Sequence, residues 1–409
     1  MTSTMRSMLT MIAMAVSTTA VPLQAQAAKQ LGIASFNMAW AGTEADFESH
    51  LAMCTAVAWC DTRPQRKEGE RVASPGALEK ARMCEAAMLR EAGGADKVMR
   101  IAPCNAYRAI GAATVVTGAD YGLKMAGLRS TVARLIEQEG VRVIAFQEVN
   151  SEAAVRAVLG QHAARFATCA APHNAFQTVA FAWDKSVSAR SGQCQARAEL
   201  AVPENPREPS NLRSVRPGLA LTLHVNGQPL TLMNVHLKAS CANLQSSGRY
   251  AGRLLTDPDS NCRVLNRQVA ALEAWVEAVD KVSPRFVLLG DFNRRIDEEM
   301  AAPVTTAAVR ADGSDPAGPI ARDEFGYVTS RYLWQEISDG KPNLYQVPLA
   351  SAASECKGFV GLDHIVVSGA LHHLPHNRAL ASRKMAVAGV PGQRIETSDH
   401  CPRLMQLGL

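Results

Sequence analysis

Short apolar runs that end in a carboxylate, an amide or an imidazole punctuate this chain from its first strand-like segment to its last. Gln30–Met38 carries one into Ser35-Phe36-Asn37, and Val143-Ile144-Ala145-Phe146 stops at Gln147-Glu148. Pro229–His236 ends on Asn234-Val235-His236, and Phe286-Val287-Leu288-Leu289 ends on Gly290-Asp291-Phe292-Asn293. A run around Gly358–Ser368 holds Leu362-Asp363-His364, and Thr397-Ser398-Asp399-His400 precedes a short apolar terminus. Apolar runs of this length, rich in branched residues, predict core strands. Further strands are predicted near Ala163–Thr168, Phe176–Trp183 and Leu219–Val225, the last joined to Pro229–His236 by an Asn226-Gly227 hairpin turn.

Helical spacing predicts a helix over Leu128–Glu139, with Leu128, Val132, Leu135 and Ile136 on one face. A short helix is expected over Ser151–Leu159. A long one is expected over Asn261–Lys281, with Val264, Leu265, Ala271, Leu272, Trp275, Val276 and Val279 as its apolar members. A direct strand–helix–strand unit takes about 30–40 residues. Asn37 and Glu148 are much further apart, so the segment at about 42–123 is expected to be an insertion. It carries four cysteines and two helix-like stretches, Ala45–Val57 and Gly76–Glu91, but no catalytic constellation. Strands interleaved with helices predict a layered α/β sandwich.

The first 27 residues read as a secretory signal. Arg6 is their only charge, an apolar stretch runs from about Met8 to Val16, and Ala25-Gln26-Ala27 fits small-residue cleavage. The apolar run is short of the roughly 20 residues that span a bilayer, so export is expected and stable membrane association is not. Residues 28–409 then form one large domain with its insertion. The formal charge of +5 is mild. It does not show the dense basic stripe of a high-affinity nucleic-acid binder, though it does not repel a polyanion either. Ten cysteines, an even number in an exported chain and without a CxxC pair, favour disulfides over zinc. Local pairing is expected in the second half, as Cys169–Cys194, Cys241–Cys262 and Cys356–Cys401. Cys54, Cys60, Cys84 and Cys104 are expected to pair among themselves. A loop containing Pro203, Pro206 and Pro209 precedes Arg216.

The polar strand ends are the candidate chemistry. Glu148 follows an apolar strand, where an unpaired carboxylate is expensive, so a cation is expected beside it. Asp291 and Asn293 are two apart, and in extended geometry residues i and i+2 face the same way. A carboxylate there orients or deprotonates water, while the amide donates to a phosphate oxygen. A plain Asp-Phe-Asn turn is the alternative. His236 and His400 are candidate phosphate donors or proton carriers, and Asp363 is placed to hold His400 and raise its pKa. His372, His373 and His376 read as surface groups.

The ordered set Asn37, Gln147-Glu148, Asn234-Val235-His236-Leu237-Lys238, Gly290-Asp291-Phe292-Asn293, Asp363 and Ser398-Asp399-His400 resembles the endonuclease/exonuclease/phosphatase superfamily. The likeness spans Leu31–Trp40 and about Leu128–Leu409. It implies a four-layered α/β sandwich of two packed mixed β-sheets flanked by helices, the deoxyribonuclease I-like fold. It further implies a divalent metal, Mg²⁺ or else Mn²⁺, held by Glu148 and Asn37 with Asp399 nearby. Asp291 would align the attacking water, Asn293 would contact the scissile phosphate, and His236 would be the second phosphate-side histidine. Asp363 would pair with His400, and Asn37, Arg216 and Lys238 would touch substrate. The implied activity is phosphodiester hydrolysis, with nucleic acid as the expected substrate. A lipid or small-molecule phosphoesterase and a non-catalytic binding protein are the alternatives. Where the family places a glutamate against the first histidine, this chain has Gln177, a neutral partner that would raise the His236 pKa less. Oligomeric state is not legible.

Overall fold

The computed structural model describes residues 30–60, 62, 65, 73–107, 110, 116–188, 190, 192–203, 215–242, 260–301, 333–338, 342–356 and 361–409. The candidate leader at 1–27, Pro206, Pro209 and Gly358 lie outside them. In chain order the described elements are β1 (Gln30–Ala41), α1 (Glu44–Ala56), α2 (Pro75–Ala92), α3 (Ala95–Met99), α4 (Gly118–Glu137), β2 (Val141–Val149) and α5 (Glu152–Leu159). There follow β3 (Phe166–Ala170), β4 (Thr178–Asp184), β5 (Gln193–Arg197), β6 (Gly218–Val225), β7 (Gln228–His236), α6 (Ser260–Val282) and β8 (Phe286–Asp291). The rest are α7 (Ile296–Ala301), α8 (Leu333–Ser338), β9 (Leu344–Gln346), β10 (Leu349–Ala352), β11 (Asp363–Ser368), α9 (Gly369–His372), β12 (Ser382–Lys384) and β13 (Arg403–Gly408).

Two mixed sheets result. One is seven-stranded, in the order β10-β12-β13-β1-β2-β4-β3, and the other six-stranded, in the order β5-β6-β7-β8-β11-β9. They pack face to face on an apolar layer that includes Ile33, Val143, Phe181, Leu221, Leu232, Leu289 and Ile365. On its outer face the first sheet is covered by α4 and α5, through Leu128, Val132, Leu135, Val155 and Val158. The second is covered by α6 and α8, through Leu265, Leu272, Trp275, Leu333 and Ile337. Helix, sheet, sheet and helix make the four layers implied by the sequence.

Most predicted elements form, and the departures have local causes. α4 begins at Gly118 rather than near Leu128 because Thr117 caps it: the Thr117 hydroxyl accepts from the Asp120 N–H, and Asp120 returns the bond to the Thr117 N–H. β3 begins at Phe166, after the predicted Ala163, because Gly160–His162 winds into a 3₁₀ turn that continues to Arg165. The hairpin turn is as expected, with positive φ at both Asn226 (51°) and Gly227 (77°). All three predicted disulfides form, and the earlier four cysteines pair as Cys54–Cys104 and Cys60–Cys84. Between β1 and α4 lies a small helical unit with its own apolar cluster of Val57, Met88, Ala92 and Val98.

Candidate active site

Strand register gathers most of the polar strand ends. β7 runs parallel to β8 with His236 opposite Asp291, and β11 runs antiparallel to β8 with Asp363 opposite Asp291. Those three side chains therefore stand in one row across the second sheet. In the first sheet, β1 and β2 are parallel with Asn37 opposite Gln147, which puts Glu148 at the same edge. β13 is antiparallel to β1, Ser35 facing Arg403, so the residues just before it, Ser398-Asp399-His400, return to the end of β1. The Ser398 hydroxyl donates to the Asn37 carbonyl at 2.7 Å and accepts from the His400 N–H at 3.0 Å, fixing that approach.

Asp363 is the centre of a buried ionic chain. His400 Nδ1 donates to Asp363 Oδ1 at 3.0 Å, and Lys384 Nζ, from β12, donates to Oδ2 at 2.6 Å. Burial alone would raise the Asp363 pKa, but the cations of His400 and Lys384 hold it well below the usual carboxylate range. For His400, burial alone would lower the pKa. Asp363 and Asp291 outweigh it and raise the value to about 10, so the imidazole is protonated at neutral pH.

His400 Nε2 lies 3.8 Å from Asp291 Oδ2. Burial pushes the Asp291 carboxyl up to about 6 even against the His400 charge. Asn37 Nδ2 donates to Asp291 Oδ2 at 3.2 Å, and the Asn293 backbone N–H donates to Oδ1 at 2.9 Å. The extended i, i+2 geometry expected for Asp291 and Asn293 is not what joins them. β8 ends at Asp291, Asn293 has φ of +50°, and a tight turn brings its amide round. Asn293 Nδ2 donates to the Leu237 carbonyl at 3.0 Å, which also accepts from Arg216 Nη2 at 2.7 Å. The turn needs Gly290: at its φ of +144° a Cβ would stand 2.0 Å from the Val235 carbonyl oxygen.

His236 is buried, with Nε2 3.5 Å from Asp291 Oδ2 and 3.7 Å from Glu148 Oε1. Burial, Arg216 and His400 all lower its pKa, well under 6.5, so it is neutral. Its Nδ1 has no hydrogen-bond partner among the described residues. Gln177 therefore does not fill the place of the glutamate that the resemblance implied.

Glu148 has φ of +54° at a register shift between β1 and β2, which turns its side chain toward the cleft. Burial and then Asp399 push its carboxyl up to about 7. Behind the pair lies Lys124, buried, donating to the carbonyls of Met38 (3.2 Å) and Thr397 rather than to either carboxylate. Burial lowers its pKa to about 8. Lys238 comes close enough to His236 to help depress its pKa. A cavity of about 420 Å³ opens beside His400, lined by Ile110, Glu355, Glu396, Ser398, Asp399 and the Cys356–Cys401 disulfide among others.

All ten candidate residues thus lie at one edge of the two sheets. Lys384 and Lys124 were missed by sequence reasoning, since neither stands in a polar strand-end string. His372 and His373 are elsewhere, packed on Tyr345: the His372 ring stacks at 3.7 Å, and the Tyr345 hydroxyl meets His373 Nε2 at 3.1 Å.

Among the described residues, ligand atoms of Asp291, Asp363 and His400 lie within 4.8 Å of one another, close enough to share an ion. Both Asp363 oxygens are already engaged, by His400 and Lys384.

No family model matches the chain, and no curated protein matches it in sequence. Among solved structures it is similar to an endonuclease/exonuclease/phosphatase family protein from Bacteroides thetaiotaomicron, at 11% identity over 93% of this chain and 98% of that one, TM-score 0.43. It is similar to an endonuclease/exonuclease/phosphatase from Bacteroides vulgatus, at 12% identity over 69% and 91%, TM-score 0.40. It is also similar to D. rerio TDP2 complexed with a single-strand DNA product, at 15% identity over 70% and 94%, TM-score 0.38. Likeness at this level says nothing of the reaction, which has to come from the site.

Proposed function

We propose that this chain is an exported, divalent-metal-dependent phosphodiesterase that hydrolyses a P–O bond by in-line attack of water, with nucleic acid as substrate. One observation carries the proposal. A cationic imidazole, His400, and a carboxyl of raised pKa, Asp291, stand 3.8 Å apart in a buried cluster at the mouth of a cleft. Environments that push two titrating groups apart in this way separate an acid from a base.

The residues present fit a metal at Glu148. Burial and Asp399 hold the Glu148 carboxyl up at about 7 even against the charges of His400 and Arg216, and Lys124 gives its hydrogen bonds to carbonyls. Glu148 and Asp399, with the second lone pair of Asn37 Oδ1, would hold Mg²⁺, or Mn²⁺ in its place. The Asp291–Asp363–His400 trio is the poorer site, because a protonated histidine cannot ligate and Lys384 already neutralises Asp363. Bound at Glu148, a divalent ion would polarise a phosphate oxygen and offset charge on the leaving oxygen.

The chain's own groups do the rest. Asp291, pinned by Asn37 and the Asn293 N–H, orients water and accepts its proton as the new O–P bond forms. The His400 cation, held by Asp363, stabilises the charge that grows on the non-bridging oxygens. Asn293 has one amide hydrogen beyond the one given to Leu237, and Arg216 and Lys238 add donors on the phosphate side. Neutral His236 offers hydrogen bonds rather than charge. Export is supported by five disulfides, which persist in oxidising compartments. Among the described residues no helix is long and apolar enough to cross a membrane.

The test is turnover of plasmid DNA and bis-p-nitrophenyl phosphate in Mg²⁺, Mn²⁺ or EDTA, beside His400→Ala. Metal-dependent cleavage of both, lost with EDTA and with the substitution, is the expected result. Cleavage of the small diester alone would move the substrate from nucleic acid to lipids or nucleotides. Inertness of folded protein toward both would sink the assignment.

A further inference from the structure

The residues just beyond Asn37 do something the hydrolytic machinery does not require. Ala39 and Trp40 both have positive φ, 47° and 62°, two consecutive left-handed residues at the end of β1. A bulky aromatic side chain rarely accepts that conformation, and strain of this kind persists only where the surroundings over-determine it. Here they do. The Tyr107 hydroxyl donates to the Trp40 carbonyl at 3.4 Å, and the Tyr121 hydroxyl bonds both the N–H and the carbonyl of Gly42, at 2.7 and 2.8 Å. Tyr107 belongs to the segment between β1 and α4, whose Met99 carbonyl also accepts from the Phe176 N–H at 2.8 Å. That segment therefore clamps the β1 end on one side and the loop before β4 on the other.

The strained turn brings Trp40 to rest half-buried against Phe176, with ring centroids 5.8 Å apart. Phe176 itself is buried and supports the indole from beneath. β1, β2 and β4 are neighbours in that order, so the aromatic pair flanks Glu148 at the same sheet edge. His173 lies three residues before Phe176, and its Nε2 has no hydrogen-bond partner among the described residues. Burial first, and then Arg216, lower its pKa to about 4, so it is a neutral imidazole near a phosphate-side guanidinium.

We propose that Trp40, propped on Phe176, with His173 three residues away on the loop that carries Phe176, is a base-stacking wall, so that the substrate presents an unpaired nucleobase next to the scissile phosphate. An aromatic face beside cationic phosphate contacts is the arrangement that suits single-stranded nucleic acid, because a base within a duplex has no face left for a side chain. The proposal deepens the phosphodiesterase reading above and rests on it for the position of the phosphate.

Binding separates the two. In Mg²⁺, calorimetry is run with 2′-deoxyadenosine 5′-monophosphate and with 2-deoxyribose 5-phosphate, which carries the same phosphate and no base. The intact protein is expected to bind the nucleotide about tenfold more tightly. Trp40→Ala should erase that preference, and Trp40→Phe should retain most of it. His173→Ala serves as a second variant if Trp40→Ala does not fold, and should reduce the preference in part. Equal binding of the two ligands by the intact protein, binding of neither, or a preference unchanged in folded Trp40→Ala would overturn the stacking wall. Turnover of bis-p-nitrophenyl phosphate, measured alongside, reports on the hydrolase independently. An active enzyme with no base preference loses only the wall, and an inert protein that prefers the nucleotide loses only the hydrolase.

Discussion

Asp363 and Asp291 keep a proton on His400, and the proposed chemistry follows from that state. Removing the imidazole by His400→Ala, or the proposed base by Asp291→Asn, is expected to lower kcat by about 10²–10⁴-fold each. Melting temperature should fall little for Asp291→Asn, and a folded variant with unchanged turnover would remove Asp291 from the mechanism. Glu148 gives a prediction of opposite flavour. Its folded pKa, about 7, is raised above the ordinary 4.5. The stability this contributes is complete below about 4.5 and is lost as pH rises through about 7. Asp291, raised from 3.8 to about 6, acts in the same direction. Buried neutral His236 and His173 act the other way, losing stability as pH falls below 6.5, so the two carboxyls are read by difference: Mg²⁺ or Mn²⁺ should raise the melting temperature more at pH 8 than at pH 5. Glu148→Gln should flatten that difference. A metal-induced shift that is the same at both pH values would place the ion elsewhere. At this scale the sequence was informative wherever a polar string closed an apolar run, as at Asp291 or His400. It was silent for Lys384, whose strand Ser382-Arg383-Lys384 is three residues long and marked by no motif, although its ammonium sits 2.6 Å from Asp363.

Elements carry these residues only as well as their ends are held. Gly290→Ala should be among the most damaging single changes, since its Cβ would meet the Val235 carbonyl at 2.0 Å in the parallel neighbour strand. A cost of about 3 kcal/mol or more, or loss of soluble protein, is expected. Near-wild-type urea stability would show that β7 and β8 can part without harm. The Cys356–Cys401 bridge ties the residue after His400 to the segment following β10, closing a sequence separation of 45. On the loop-entropy model such a bridge is worth about 4 kcal/mol. Cys356→Ala/Cys401→Ala should lower the unfolding midpoint and lower kcat as well, because the His400 approach to Asp363 loses its anchor. Unaltered kcat would show that the Ser398 bonds suffice. The long helices and hydrophobic strands were legible because their periodicity is strong. β5, β9, β10 and β12 were not, being three to five residues long and, in β5 and most of β10, exposed. The start of α4 was hidden for another reason: Gly118, Gly122 and Gly127 and the buried polar Asp120 and Lys124 interrupt its apolar stripe.

The whole molecule places half of the candidate site on each sheet, so the proposed catalysis would depend on how the sheets are fixed to one another. Asn37, Glu148 and His400 come from the seven-stranded sheet and its loops, while His236, Asp291 and Asp363 come from the other. No single sequence run shows this, because the sheet order places β13 beside β1 and β7 beside β8, and only long-range register reveals it. Between the sheets most contacts are apolar and adaptable. At the site end they are directional: Asn234 of β7 donates through Nδ2 to the carbonyls of Phe146 and Ala180, both at 2.9 Å, in the facing sheet. Its Oδ1 accepts from Gln147 Nε2 at 2.7 Å, and Gln147 Oε1 accepts from the Ser35 hydroxyl at 3.3 Å. Asn234→Leu keeps the volume roughly but strands these buried groups, at about 1–3 kcal/mol for each one left unsatisfied. A total loss of about 3 kcal/mol is expected from urea unfolding, together with a fall in kcat of tenfold or more as the two half-sites lose their register. Ile33→Val, in the middle of the apolar layer, should cost about 0.5–1.5 kcal/mol and leave kcat alone. If Asn234→Leu lowers stability but not turnover, the amide clamp holds the fold and the sheets find their register by apolar packing alone.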